Sequence, residues 1–168
     1  MERFEYFNKD VKFTGKHSMY IDELWKQNEI QKSRIRTLYE LYGLAAIIGL
    51  RIKAPRPADN SEGSRNLQTA QLIQYKPVLK TIMTTVLLLD ESSDLSREER
   101  IDRAFREPAG KEEFEQNVEL FQSYVRGGIE YLYDALVERP AGNMEDEYTD
   151  ARVANLMALL EDKLLPEV

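Results

Sequence analysis

Along most of this chain, apolar residues recur at steps of three and four, the spacing of one face of an α-helix. After a charged and aromatic arm at about residues 1–13, expected to be mobile, Ser18 reads as the cap of a helix carrying Ile21, Leu24 and Trp25 on one stripe. Met19 and Tyr20 are expected to enter the core. Ser33 reads as the next cap, followed by Ile35, Leu38, Tyr39, Tyr42, Ala46 and Ile47 on one side. From Leu41 to Ile52 the pattern is apolar nearly all round, which predicts a helix at the centre of the core. Within it, Gly43, Ala45, Ala46 and Gly49 form a thin surface suited to a closely packed helix or a partner. Each glycine in a helix interior costs roughly 1 kcal/mol against alanine, so close approach is the expected reason for keeping one.

Pro55 and Pro57 stop that helix, and APRPADNSEGSRN (54–66) is expected to be a loop. Pro77 suits the first turn of a helix through VLKTIMTTVLLLDES. Ser96 and Glu99 spell a capping box, opening a helix expected to turn Ile101, Ala104 and Phe105 inward. The longest helix is expected from Lys111 to Val137, with the stripe Phe114, Val118, Phe121, Val125, Ile129, Leu132 and Leu136. Gly127-Gly128 within it predicts a kink or a close crossing. ERPAGN reads as a turn before a last helix, from about Met144 or Thr149, carrying Val153, Leu156, Met157, Leu160 and Leu164. The pattern therefore predicts one all-α domain over 1–168, a single-domain helical bundle of six or seven helices.

Composition narrows the chemistry. With 42% hydrophobic residues the chain can build a core, and 168 residues suit one domain. There is no cysteine, which removes disulfides, thiolate metal sites and cysteine nucleophiles. The longest unbroken apolar run, LAAIIGL, is far short of the roughly 20 residues that span a bilayer, so a cytoplasmic protein with no membrane partner is expected. The net charge of −7 is unevenly spread. Residues 1–80 hold 14 Lys/Arg against 9 Asp/Glu, and residues 81–168 hold 9 against 21. Such a split fits two surfaces with different partners, head-to-tail association, or a chance drift of solvated charge.

Most chemical motifs fail at required positions. Gly15-Lys16 has Asp10 where a phosphate loop needs glycine and His17 where it needs Ser or Thr. His17, the only histidine, has Ser18 beside it, but neighbouring helical side chains diverge and no nucleophile elbow follows. Asp90, Ser92 and Asp94 imitate the start of a calcium loop, yet Leu95 and Ile101 occupy its glycine and glutamate positions. The paired acids Glu98/Asp102 and Glu112/Glu113 have no E-x-x-H partner for a di-metal site. No metal or cofactor is expected. What survives is a basic set, Lys32, Arg34, Arg36, Arg51, Lys53, Arg56 and Arg65, able either to grip phosphate or to lie along an apolar helix and pair with acids.

The run YELYGLAAIIGLRIKAPRP (39–57) joins an aromatic-led, small-residue helix to basic residues and proline. Through Tyr39, Tyr42, Ala45, Ala46, Gly49, Arg51, Arg56 and Pro57 it resembles small helical accessory proteins of bacterial DNA-modification and phage-defence gene clusters, including those near DNA phosphorothioation (Dnd) genes. That resemblance implies a non-catalytic helper in a larger DNA-handling complex, and no catalytic residue carries over from it. The expected function is a non-enzymatic adaptor acting through protein–protein contacts, with a protein partner or a second copy of itself. The alternatives are a nucleic-acid-binding module built on the seven basic residues, or a small enzyme with a pocket near His17, Tyr20 and the 54–66 loop.

Overall fold

A computed structural model describes residues 4–29, 32–138 and 156–159. Among them the chain is mostly helical, with six α-helices and one small sheet. The order is β1 (Val11–Thr14), α1 (Gly15–Leu24), α2 (Leu38–Arg51), β2 (Ser64–Leu67), α3 (Thr69–Leu72), α4 (Lys76–Leu89), α5 (Arg97–Phe105) and α6 (Lys111–Tyr133). A 3₁₀ turn links α3 to α4, and α6 runs on into a π-helical turn, Asp134–Glu138. The turn and helix expected beyond residue 138 lie outside the described residues, apart from one helical stretch at 156–159.

The all-α expectation needs one correction, the antiparallel pairing of β1 with β2 (Val11 opposite Leu67, Phe13 opposite Arg65). SRNL has neither β-branched nor aromatic residues, so nothing local marks it as a strand. Two four-residue strands are marginal by themselves, and this pair is held by Phe13 and Leu67, both buried in the core. The N-terminal arm is likewise packed from residue 4 onward. Tyr6 stacks on Phe114 with ring centroids 5.0 Å apart, and Phe7 meets Phe121 edge-on at 5.4 Å.

The two expected caps also move. Ser18 lies inside α1, its hydroxyl donating to the Gly15 carbonyl at 2.8 Å. Ser33 accepts from the Lys26 amide, and α2 begins later, capped by Thr37. Met19 is exposed rather than buried, while Tyr20 stacks on Tyr133 at 4.0 Å. By contrast Pro77 occupies the first turn of α4, and both halves of the Ser96/Glu99 capping box are present.

The most extensive helix pairing is α2 on α6, and small residues make it possible. A methyl placed on Gly49 would lie 1.9 Å from the Tyr124 carbonyl oxygen, and one on Gly128 would lie 1.8 Å from that of Ala45. One on Gly127 would meet the Ala54 carbonyl oxygen at 1.7 Å. Gly127-Gly128 therefore marks a close crossing of backbones. Tyr42, Phe121, Ile129 and Leu132 fill the core around it.

α2 leaves that contact through Lys53, a non-glycine residue at φ +52°. The Lys53 amide bonds the Leu50 carbonyl and the Ala54 amide bonds that of Gly49, a left-handed helix stop in which glycine is usual. The turn drops residues 54–56 along α6, where the Arg56 amide donates to Ser123 O.

Candidate functional site

Three clusters stand out, and the first contains His17. The backbone amide of Lys16, at the start of α1, donates to the Asp59 carboxylate at 2.7 Å. The helix is thus capped from the loop expected at 54–66, whose last three residues are in fact part of β2. That bond, together with those from Ser61, holds the Asp59 carboxyl at about 2. His17 is buried, and its Nε2 lies 2.9 Å from Glu130 Oε1 on α6. Burial lowers its pKa against the opposing pull of Glu130, which keeps the ring neutral at pH 7. A carboxylate only accepts, so Nε2 carries the proton. Glu130 also receives Lys16 Nζ at 2.8 Å and Arg56 Nε at 3.3 Å. The imidazole thus joins α1 to α6, and the neighbouring Ser18 hydroxyl is directed at Gly15 O instead of at the ring.

The second cluster centres on Asp90, fully buried at the end of α4. Its carboxylate accepts from Tyr124 Oη at 2.7 Å, Ser92 Oγ at 2.6 Å, Ser93 Oγ at 2.7 Å and Arg103 Nη2 at 3.3 Å. Burial alone would raise its pKa, but the hydrogen bonds from Ser92, Tyr124 and Ser93 outweigh it and hold the group at about 2. Tyr124, itself buried and donating to that carboxylate, is pushed up to about 12. Asp90 and Ser92 are two of the residues that imitate the start of a calcium loop, a reading that Leu95 and Ile101 exclude. The structure instead ties α4 to α6 and α5 through the carboxylate, with Arg103 also donating to the Leu87 carbonyl at 2.8 Å. α5 buries none of its residues. Of the three residues expected inward, Ala104 is half-buried against the core while Ile101 and Phe105 are exposed, and Arg100 and Arg103 tie the helix to the carbonyls of Asp90 and Leu87.

The third feature is a face. Between the C-terminal halves of α2 and α4 lies an open cleft of about 670 Å³, lined by Ile47, Leu50, Pro55, Thr85 and Leu89 with Tyr124 at its back. Leu44 and Ile47 on α2 are 41% and 49% exposed, and Val78 and Leu89 on α4 are 44% and 55% exposed. The expectation that α2 lies at the centre of the core is therefore met on one side only. Its other side faces outward and is still apolar. α4 carries no charged residue from Thr81 to Leu89, and the stretch Thr69–Leu89 is long and apolar enough to cross a bilayer, with 33% of its most apolar window buried.

Of the small-residue set, Ala45, Ala46 and Gly49 lie in the α2–α6 contact. Gly43 faces α4 with more room, since an added methyl would sit 3.2 Å from Ile82 Cδ1.

The basic residues are drawn to separate anchors. Lys32 pairs with Glu29 at 2.8 Å, and Arg34 Nε reaches the Leu136 carbonyl at 3.4 Å. Arg36 is exposed before α2, and Arg51 lines the α2–α4 cleft. Lys53 pairs with Glu91 at 2.6 Å, Arg56 with Glu130, and Arg65 Nε with Asp22 at 2.7 Å, its guanidinium 5.6 Å from the Trp25 ring centre. Exposed apolar side chains on α2 and α4, which helical periodicity assigns inward, are the feature sequence reasoning missed. The signal available was the uncharged run TIMTTVLLL, longer than one buried stripe requires. No family model, curated protein or solved structure matches the chain.

Proposed function

We propose that this chain is a non-enzymatic helical adaptor that acts through protein–protein contacts, with the α2–α4 face as its contact surface. The observation carrying this reading is the row Leu44, Ile47, Val78 and Leu89, all more than two-fifths exposed beside an apolar cleft. Contiguous exposed apolar surface on a small domain marks an interaction site. The charge layout supports the choice of a protein over a nucleic acid. Lys32, Lys53, Arg56 and Arg65 each hold an acidic partner, whereas a phosphate grip needs cations converging on one groove. The resemblance over residues 39–57 makes a bacterial DNA-modification or anti-phage assembly in the cytoplasm the setting we propose.

The test is copurification of the tagged protein from its native host, beside an Ile47→Glu variant, with bound proteins identified by mass spectrometry. The reading expects discrete partners that the variant loses. A monomer that brings down nothing specific would end it.

A further inference from the structure

We infer that His17 is an acid-sensitive latch, whose protonation releases α1 and the 57–63 loop together from α6. This device is separate from whatever binds the α2–α4 face. His17 is the only histidine in the sequence, and its residue is 1% exposed. Around it, the Gly15 amide donates to the Gly63 carbonyl at 3.1 Å and the Lys16 amide to the Asp59 carboxylate at 2.7 Å. Thr14 Oγ1 donates to the Asp59 carbonyl as well. These bonds make the start of α1 and the loop one unit. Its polar fastening to α6 is a single carboxylate, Glu130, whose Oε1 receives His17 Nε2 at 2.9 Å and Lys16 Nζ at 2.8 Å. Arg56 Nε takes the other oxygen, at 3.3 Å. Residue 56 is anchored to α6 separately, its amide donating to Ser123 O and its carbonyl accepting from Arg126 Nε at 2.8 Å.

The charges around the ring decide what a proton does there. Glu130 and Arg126 face it from α6, Lys16 from α1 itself, and Arg56 and Asp59 from the loop side. On the other elements packed against α1, Lys12 of β1 and Asp134 and Glu138 of the π-helical turn are exposed. Arg65 of β2 is held by Asp22 at 2.7 Å. Glu130 already offsets two cations, and the Asp59 carboxylate is taken up by the backbone amides of Lys16 and Ser61. A proton on His17 thus sets a third positive charge against one carboxylate, in a side chain cut off from water. The neutral ring already donates from Nε2 to Glu130, so ionisation adds no hydrogen bond at that nitrogen. Burial consequently outweighs Glu130, and the folded ring loses its proton below the ordinary histidine value of 6.5. As pH falls below 6.5 the opened segment takes up the proton first. The stability lent by the neutral ring is therefore complete above that pH and declines below it. At Glu130 the bonds from Lys16 and His17 outweigh burial, and Asp59 is held at about 2, so both carboxylates stay charged in this interval. Of the groups facing His17, the imidazole alone changes state between pH 7.5 and 5.5.

NMR of the full chain, with amide exchange measured between pH 7.5 and 5.5, tests this. The single imidazole signal should titrate below 6.5 and carry its proton on Nε2 in the neutral form. Protection factors at Gly15, Lys16 and the α1 amides, corrected for intrinsic exchange rates, should fall about three- to tenfold over that range. Tenfold is the ceiling because one proton shifts the opening equilibrium by at most about a factor of ten per pH unit below 6.5. Amides of α4, tied to α5 and α6 through Asp90 at about 2, should keep theirs. His17→Gln retains an N–H donor for Glu130 without a titrating ring, and its α1 protection should be flat. An imidazole that titrates at or above 6.5 overturns the inference, as does α1 protection indifferent to pH. An equal loss in α1 and α4 assigns the acid response to the whole fold and overturns it too. So does a folded His17→Gln variant that still loses α1 protection. If circular dichroism shows that variant unfolded, the wild-type titration and exchange decide alone, because no second histidine contributes.

Discussion

Gly43 and Gly49 lie on one helix six residues apart, and alanine should have opposite effects at the two. In a helix interior, glycine to alanine is worth about 0.5–1 kcal/mol in favour of alanine when nothing obstructs the new methyl. At Gly43 the methyl would meet Ile82 Cδ1 at 3.2 Å and Tyr75 Cε1 at 3.4 Å, both far ends of side chains that can give by a few tenths of an ångström. The propensity gain should survive, leaving Gly43→Ala between neutral and about 1 kcal/mol more stable. At Gly49 the obstacle is the Tyr124 carbonyl oxygen at 1.9 Å, with its carbon at 2.7 Å. An ordinary C···O contact is about 3.3 Å, so α2 and α6 must part by more than 1 Å across their central contact. Overpacking of this kind costs about 1–3 kcal/mol where side chains can adjust and more where backbone must move. After the propensity gain is set against it, Gly49→Ala should lose about 3 kcal/mol, roughly 10 °C in Tm for a chain of this size. Urea unfolding followed by circular dichroism, with matched slopes, reads both. A Gly49→Ala variant as stable as the parent would show that α2 and α6 do not approach this closely.

Two further outcomes follow from the buried carboxylate and the helix stop. Asp90 is held at about 2 in the folded chain against 3.8 for an ordinary aspartate, so the unfolded chain binds its proton first as pH falls. The stabilisation is complete above pH 4 and disappears by about pH 2, amounting to about 2 kcal/mol. Urea midpoints between pH 5 and pH 2 should therefore fall less steeply in Asp90→Asn than in the parent, and parallel curves would refute the role given to this carboxylate. Lys53→Gly relieves a left-handed conformation at the loss of one exposed ion pair, so thermal unfolding should show a net gain of up to about 1 kcal/mol. A loss would mean that the pair with Glu91 outweighs the strain.

What could be read from sequence, and what could not, divides by how local the cause is. The Ser96/Glu99 box, Pro77 in the first turn of α4 and the α6 stripe are set within a few residues; the first two appear as predicted, and the stripe is buried from Phe121 on, with Phe114 and Val118 half-buried. Gly127-Gly128 and Gly49 were legible as close approach because glycine in a helix asks for a reason, although the partner carbonyls were not. Ser18 and Ser33 misled because a serine caps only where the backbone is extended, and the real caps, Asp59 and Thr37, are set by the loop folding back and by where α2 begins. The β1–β2 ribbon joins segments about fifty residues apart, one of them polar, which no local pattern reveals. The basic set was visible as residue types, but each cation's partner depends on the tertiary fold.

The same distinction explains why the outward face was hidden. Periodicity reports that a side chain is apolar and shares a stripe with others, and it cannot say whether a neighbour covers that stripe. α2 has to be small on the side that meets α6, and that side supplies its burial through Ala45, Ala46 and Gly49. Leu38, Leu41, Tyr42 and Ile48 are buried as well, which leaves the exposed Leu44 and Ile47 surplus to the monomer's core. α4 is in the same position, since Leu79, Met83, Val86 and Leu87 satisfy the core and Val78 and Leu89 do not contribute to it. Elsewhere the molecule is fastened by polar means, with Asp59 capping α1 and His17, Lys16 and Arg56 converging on Glu130. Loss of the Glu130 link would loosen α1 and the 54–66 loop without touching the α2–α4 row. Contact through these surplus apolar residues, rather than chemistry at His17, is the function we propose.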